Sequence, residues 1–488
     1  MENSEKKFLF FLIFASFFLR LIPAFLFISP PVTPHDFVGI VRYGESFLNG
    51  TLYIDLYPDI YPPNGQLSVY GPLFSGTIGI WMLIFGKSYY AIIIPYIIFD
   101  VLNVMMIYYI IKNISNIETA KYASVFFSLS YISLMNDVHG STNMFFMFFM
   151  LLSLFFIIKD RQNLALSAVA LAIGIGYKVV PLIVLPVILY YLYQIKKYAQ
   201  LVQYALLSVG TFAFILLPFY LRAGSNVFFP YMPNSIMSGV SGSNLLTLYQ
   251  YLDYFFFVGY STPYENYVFP NKIATPVLLL GFCIIAVYIL KNPLNNKKLE
   301  LIRNSFLFIF AGLMFGKIFY SFYLYWIFPL VLIILFYIDK DKFSNFKIES
   351  IEIIGLLMVF FGILTAALLY RWAIDYSFFE RLLILIGCIA AAIGTYMVFR
   401  RSAFRTPLSL LVLAAAFDSQ LHAYVLMIFG SIIPVLATRK FAWGIMAFGI
   451  NLVVVIGMIW LFKVIHDLTK EKTEEVQFDG RAAECHRA

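Results

Sequence analysis

The chain is a succession of apolar runs, most of them about 17–25 residues long and separated by short polar loops. A helix of about 20 apolar residues crosses the ~30 Å hydrocarbon core of a bilayer, where the backbone must satisfy its own hydrogen bonds. Repeated runs of this length therefore leave one architecture, an all-α polytopic membrane protein. Composition agrees: 61% of the 488 residues are hydrophobic and 12% are charged, against roughly 25% charged in soluble domains. That balance excludes a cytosolic enzyme, a nucleic-acid binder and a disordered scaffold. The net charge of +8 is accordingly read as loop topology rather than attraction to nucleic acid. Three cysteines, two of them inside apolar runs, imply neither a disulfide framework nor a metal cluster.

Runs and breakers predict spans over 8–29, 88–111, 120–134, 143–158, 163–178, 179–195, 200–221, 273–290, 304–320, 321–338, 351–370, 378–399, 407–437 (one crossing or two) and 441–462. The first run follows Lys6 and Lys7 but carries Arg20 and precedes Pro-Pro, so it reads as a span and not a signal peptide. With the N-terminus cytoplasmic, basic residues collect in alternate loops: Lys112 and Lys121, Lys159 and Arg161, Lys196 and Lys197, Lys297 and Lys298, Lys340 and Lys342, Arg400 and Arg401. The opposite loops carry Asp36, Glu45, Asp55, Asp59, Asp137, Asp253, Glu265 and Asp375. Counting 71–86 as a crossing would invert this pattern, so that segment is expected to be an interfacial helix. Two long outer loops result, 30–87 and 222–272, and loops of that length are usually functional. The chemistry is thus expected on the extracytoplasmic side.

A charge inside a span costs at least about 2.5–3.5 kcal/mol and asks for a reason. Arg20, Lys178, Lys317 and Arg222 all fall near the outer end of their spans. Each can simply snorkel to the interface, but together they form the set of cations that a lipid phosphate or pyrophosphate needs. Asp100, mid-span, is expected to form a buried structural pair, with Arg20 one candidate partner. Asp36, after His35 in TPHDF, can act as a general base on an incoming hydroxyl, cap the following helix, or do both. His139, in NDVHGSTN, can bind a phosphate or sugar hydroxyl or close a turn. Asn49-Gly50-Thr51 reads as a glycosylation sequon or as a turn.

These segments, in this order, resemble the GT-C glycosyltransferase superfamily: an Asp soon after the first span, LNGTLY, a Tyr/Pro stretch ending YGPLF, HGSTN at 139–143, YKVVPLIVLP at 177–186 and GKIFYSFYLYWIFPL at 316–330. Within it the sequence is most similar to the enzymes that add the first mannose in GPI-anchor assembly and to glycosyltransferase family 87. The resemblance covers roughly residues 8–340. It implies a GT-C-like bundle of about 13–15 transmembrane helices, with interfacial helices in the first outer loop. It also implies transfer of a hexose, mannose by family, from a dolichyl- or polyprenyl-phosphate donor to a glycolipid or glycan hydroxyl. Asp36 would be the base; Lys178, Lys317, Arg222 and His139 would hold the donor phosphate; His35, Tyr61, Tyr70 and Tyr323 would line the substrate. Many relatives have Asp-x-Asp where this chain has Pro34 before Asp36, and a lone carboxylate is a poor divalent-cation site, so no metal or other cofactor is expected. Residues 341–468 are expected to add further spans and 469–488 a polar tail. A polyprenyl-lipid or solute transporter is the alternative; it would call for internal repeats and midplane ion sites, whereas no repeat is seen and the embedded basic residues cluster at the outer edge. The oligosaccharyltransferase catalytic subunit would bring a Trp-Trp-Asp-Tyr-Gly signature and a large soluble domain, both missing from this sequence.

Overall fold

The computed structural model describes residues 3–27, 35–54, 70–130, 132–134, 142–159, 161–231, 241–242, 271–316, 318–319, 321–340, 349–370, 378–413 and 451–470. Helices dominate: α1 (Asn3–Phe27), α2 (His35–Asn49), α3 (Pro72–Phe85), α4 (Tyr89–Ile114), α5 (Ile117–Ser128), α6 (Asn143–Ile158), α7 (Leu164–Tyr177) and α8 (Leu185–Gln194). They continue with α9 (Tyr198–Ala223), α10 (Asn271–Lys291), α11 (Lys297–Phe315), α12 (Phe328–Ile338), α13 (Ser350–Tyr370), α14 (Phe378–Val398), α15 (405–413) and α16 (Asn451–Lys470). The all-α expectation holds but for a two-residue parallel pairing of Ser241–Gly242 with Ile318–Phe319. That pairing ties the second long loop to the segment after α11.

Helix starts are written locally. Ser88, Asn116, Asn163 and Asn296 each accept a hydrogen bond from a backbone N–H of the first turn of α4, α5, α7 and α11, meeting donors that a helix start otherwise leaves unpaired. Among the described residues, three helical stretches are long and apolar enough to cross a membrane unaided: Tyr89–Ile114, Tyr198–Tyr231 and Asn451–Lys470. Others are shorter. The boundary between the expected spans 163–178 and 179–195 falls at Lys178, after which Val180 and Pro181 open a 3-10 turn before α8. Likewise 321–338 begins as a 3-10 turn over Ser321–Trp326 and becomes α12 only at Phe328. Pro181 and Pro329 each sit in the first turn of the element that follows, where a missing N–H is tolerated.

At the centre lies α4, buried along most of its length and packed on α1, α3, α5, α6 and α12. The first helix starts earlier than its apolar run because Glu5 is anchored, its carboxylate accepting from Lys112 Nζ (2.5 Å) and the Tyr108 hydroxyl (2.9 Å). Helices α2 and α3 pack closely through Gly44, Gly76 and Gly79, where a Cβ would meet Met82, Phe47 and the Gly44 carbonyl within about 3 Å. The pair α13–α14 has a wider seam of the same kind: Gly355 faces Gly394 and Gly362 faces Gly387, leaving no room for a side chain. The C-terminal helices are joined to the rest of the bundle. Helix α13 packs on α1, Phe399 on Phe126, and α16 on α10 and α11 through Phe462 and a 2.6 Å hydrogen bond between the Tyr288 hydroxyl and His466 Nδ1.

Candidate functional site

Three breaks in helical structure converge. Helix α7 ends at Tyr177; Lys178 is extended (φ −158°, ψ 152°) and half-buried, its N–H bonded to the Gly174 carbonyl at 3.1 Å. The stretch Tyr70-Gly71 enters α3 alongside it, with Gly71 N–H donating to the Tyr177 carbonyl at 3.1 Å. Only glycine fits at position 71, since a Cβ there would strike the Gly176 carbonyl. The third break is the 3-10 turn Ser321–Trp326.

Lys178 sits where these meet. Its Nζ lies 4.7 Å from the ring centre of Tyr323, 4.9 Å from Trp326, 5.8 Å from Phe146 and 5.9 Å from Tyr70. Tyr323 and Trp326 stack at 4.2 Å. Asn143, the first residue of α6, accepts at Oδ1 from Trp326 Nε1 at 2.7 Å and from Lys178 Nζ at 3.5 Å. Ring faces attract a cation through their quadrupole, so the ammonium is held in place on an aromatic floor.

Beneath this cage runs a buried polar network. Asp100 Oδ2 accepts from Arg20 Nε and Ser133 Oγ, both at 2.6 Å, and Oδ1 accepts from the Tyr325 hydroxyl. Arg20 donates further to Ser133 Oγ at 2.7 Å and to the Ser16 carbonyl at 3.0 Å. Asn103, one turn after Asp100, donates to the Tyr325 oxygen at 2.9 Å and to the Met144 carbonyl at 3.0 Å. Arg20 is thus the partner of Asp100 and not one of the converging outer cations.

A second clamp holds the end of α2. Gly50 (φ +69°) follows the last residue of α2, and the Arg222 guanidinium occupies the space its Cβ would fill. Tyr53 is fully buried with φ +69°, a conformation rare for non-glycine residues. The Tyr53 hydroxyl donates to the Tyr70 carbonyl at 2.7 Å, while Asn226 Nδ2 donates to the Tyr53 carbonyl at 3.2 Å. Asn49 is exposed at the end of α2, so the NGT triplet is in this structure a helix-terminating turn.

Of the residues expected from sequence, Lys178, Tyr70 and Tyr323 come together, and Arg222 reaches Tyr70 indirectly through the Tyr53 clamp. His35 and Asp36 open α2, and their side chains lie outside the described residues. Lys317, His139 and Tyr61 also lie outside them. Sequence reasoning gave no role to Asn143, Asn103 or Tyr325. The one available signal was the i, i+3 spacing of Asp100 and Asn103 on a single helix face. Among the described residues no group of three metal-ligating side chains gathers.

The fold is the GT-C fold, as the sequence resemblance implies. Cupriavidus metallidurans ArnT in the apo state superposes with a TM-score of 0.51 at 12% identity, over 96% of this chain and 78% of that one. The same protein bound to undecaprenyl phosphate gives 0.48 at 11% identity, over 93% and 77%. The apo Archaeoglobus fulgidus oligosaccharyltransferase gives 0.39 at 12% identity, over 96% and 56%. A family model described as dolichyl-phosphate-mannose-protein mannosyltransferase matches residues 70–221, from the Tyr70 end of the cage past Lys178 to the end of α9. Among curated proteins none matches the chain. The molecule is a multi-pass integral membrane protein.

Proposed function

We propose that the chain is a membrane glycosyltransferase that moves a hexose from a dolichyl- or polyprenyl-phosphate donor to a hydroxyl of a glycolipid or glycan acceptor at the outer face. The observation that carries this reading is the meeting of Lys178, Tyr70 and Tyr323, drawn from three distant segments, around one cation. The description of the matching family model, which names dolichyl-phosphate-mannose, favours mannose as the sugar.

The reaction is a single displacement with inversion. The acceptor oxygen forms its bond to the anomeric carbon as the bond from that carbon to the phosphate oxygen breaks. Asp36 takes the acceptor proton. The lipid phosphate leaves as an anionic monoester and needs cations rather than an acid; Lys178 supplies charge there, with Arg222, Lys317 and His139 as further donors. Position 36 is in helical register with Ile40, Tyr43 and Phe47 on α2. That face leads to Tyr70, since the Tyr43 and Tyr70 rings meet at 5.6 Å. His35, Tyr61, Tyr70 and Tyr323 contribute the substrate-facing surface.

The test is transfer of label from polyprenyl-phosphate mannose, and in parallel glucose, to a membrane-lipid acceptor pool by protein in nanodiscs, comparing wild type with Asp36→Asn. Product from wild type that falls by at least about 100-fold in the variant supports the assignment, the usual scale for loss of a general base being 10²–10⁴. Equal product from both removes Asp36 from the mechanism. Donor binding without any product would favour a carrier.

A further inference from the structure

We infer that Tyr325 and Asp100 are positioning residues for the cage: they hold the Ser321–Trp326 turn so that Tyr323 and Trp326 keep Lys178 in place. Four observations carry this. Tyr325 and Trp326 are adjacent in one 3-10 turn, so their side chains leave it in different directions. Trp326 and Tyr323 turn to Lys178, whereas the Tyr325 ring is fully buried against Phe127 at 5.8 Å and its hydroxyl ends on Asp100 and Asn103. Asp100 is itself immobilised by Arg20 and Ser133, which bring in α1 and the turn after α5. Asn103 closes the arrangement by bonding both the Tyr325 oxygen and the carbonyl of Met144, the neighbour of Asn143. The two polar partners of the cage, Trp326 and Asn143, are thus referenced to one residue pair on α4.

The turn needs such an anchor because a short 3-10 segment has poor hydrogen-bond geometry of its own. A phenol bonded to a buried carboxylate supplies a directional, charge-assisted restraint. Asp100 and Tyr325 touch no reacting atom in this account; they act through Trp326, Tyr323 and Asn143. The inference concerns the same site as the proposed function, yet its principal readout does not require glycosyl transfer.

The experiment uses Tyr325→Phe, which removes one hydroxyl and keeps the ring. Asp100→Asn is avoided because it would leave Arg20 buried beside a neutral partner. Ser16→Ala is the control: it deletes a hydroxyl bonded to Ser128 at 2.7 Å in the same network but remote from the turn. Lys178 in the full chain in nanodiscs is labelled with an amine-reactive ester, and its rate is read by mass spectrometry against exposed Lys291. Tyr325→Phe is expected to raise the Lys178 rate about five- to tenfold, the factor that matches loss of one ordinary hydrogen bond, with Ser16→Ala at the wild-type rate. An unchanged rate in Tyr325→Phe, or an equal rise in Ser16→Ala, overturns the inference. The donor KM is then measured in the same samples and is expected to rise by a similar factor in Tyr325→Phe. If the labelling responds but wild type transfers no sugar, the positioning role stands and the glycosyltransferase reading fails. If wild type transfers sugar and labelling does not respond, the reverse holds.

Discussion

A lysine in an apolar wall is costly unless something replaces its water, and at Lys178 aromatic faces do so. Cation–π contacts are worth about 0.5–1 kcal/mol when exposed and ~2 when desolvated, comparable to a phosphate hydrogen bond, so the side chain is held ready without being trapped. Lys178→Gln is expected to raise the donor KM about 10- to 100-fold, the range for losing a charge-assisted hydrogen bond, with little change in thermal stability; a KM within twofold of wild type would remove Lys178 from donor binding. Gly50 is constrained twice over, by its positive φ and by Arg222 in its side-chain space. Gly50→Ala is expected to cost about 1–2 kcal/mol, seen as a lower thermal midpoint in nanodiscs; an unchanged midpoint would mean Arg222 moves aside freely. At this scale charged residues were legible and neutral ones were not. Lys178 and Asp100 stand out because charge inside an apolar run is expensive, and Arg20 could be named as a partner for the same reason. Tyr325 could not be singled out among 35 tyrosines. Nor could Asn143, whose role depends on a tryptophan far along the chain.

Elements follow the sequence closely where apolar runs are unbroken and diverge where prolines intervene. The run 143–158 is a helix over those same residues, and 378–399 differs by one position. By contrast 179–195 and 321–338, read as spans, each begin as a 3-10 turn, and Lys178, Tyr323 and Trp326 lie at those turns. Hydropathy averages over the break, so the site falls at the places where the periodic signal is least informative. Tight helix pairs were likewise invisible, because glycine spacing shows which helix has a groove but not which neighbour fills it. The α13–α14 seam gives a direct expectation. Gly362→Leu must push the two helices apart, since the Gly387 carbonyl and Ala391 occupy that space. The variant is expected to lose about 1–3 kcal/mol or more by overpacking. The readout is the thermal midpoint, and Ile354→Leu on the exposed face of the same helix should leave it unchanged.

For the whole molecule, ion pairs gather near the helix ends that carry the basic loops. The hydrogen bond from Lys112 holds the Glu5 carboxyl below its usual value of 4.5, and that from Arg400 does the same for Glu349, with Arg401 adding to it. A carboxyl whose pKa is lower in the folded chain contributes stability that is present above its unfolded value and is lost as pH falls through the folded one. The thermal midpoint should therefore stay level from neutral pH down to about 5 and drop below about 4. Glu5→Gln should sit lower at neutral pH and lose less on acidification; parallel curves for the two proteins would assign the acid loss elsewhere. The helical bundle was legible in the sequence, because run length obeys the bilayer and not local propensity. The packing of α13 on α1 was not, since nothing in that run specifies its partner.

The pairing of Ser241–Gly242 with Ile318–Phe319 also bears on how the molecule is made. Its two strands are separated by α10 and α11, and a parallel pairing that spans so much chain is slow to form and has no local substitute. The segment it fixes leads directly into the turn that carries Tyr323 and Trp326. During synthesis, Lys178 and Tyr70 therefore reach the membrane well before the residues that complete their surroundings. A chain truncated after α9 would keep the span matched by the family model yet hold an unfinished cation site, so the site is completed only once the turn after the eleventh helix has been made.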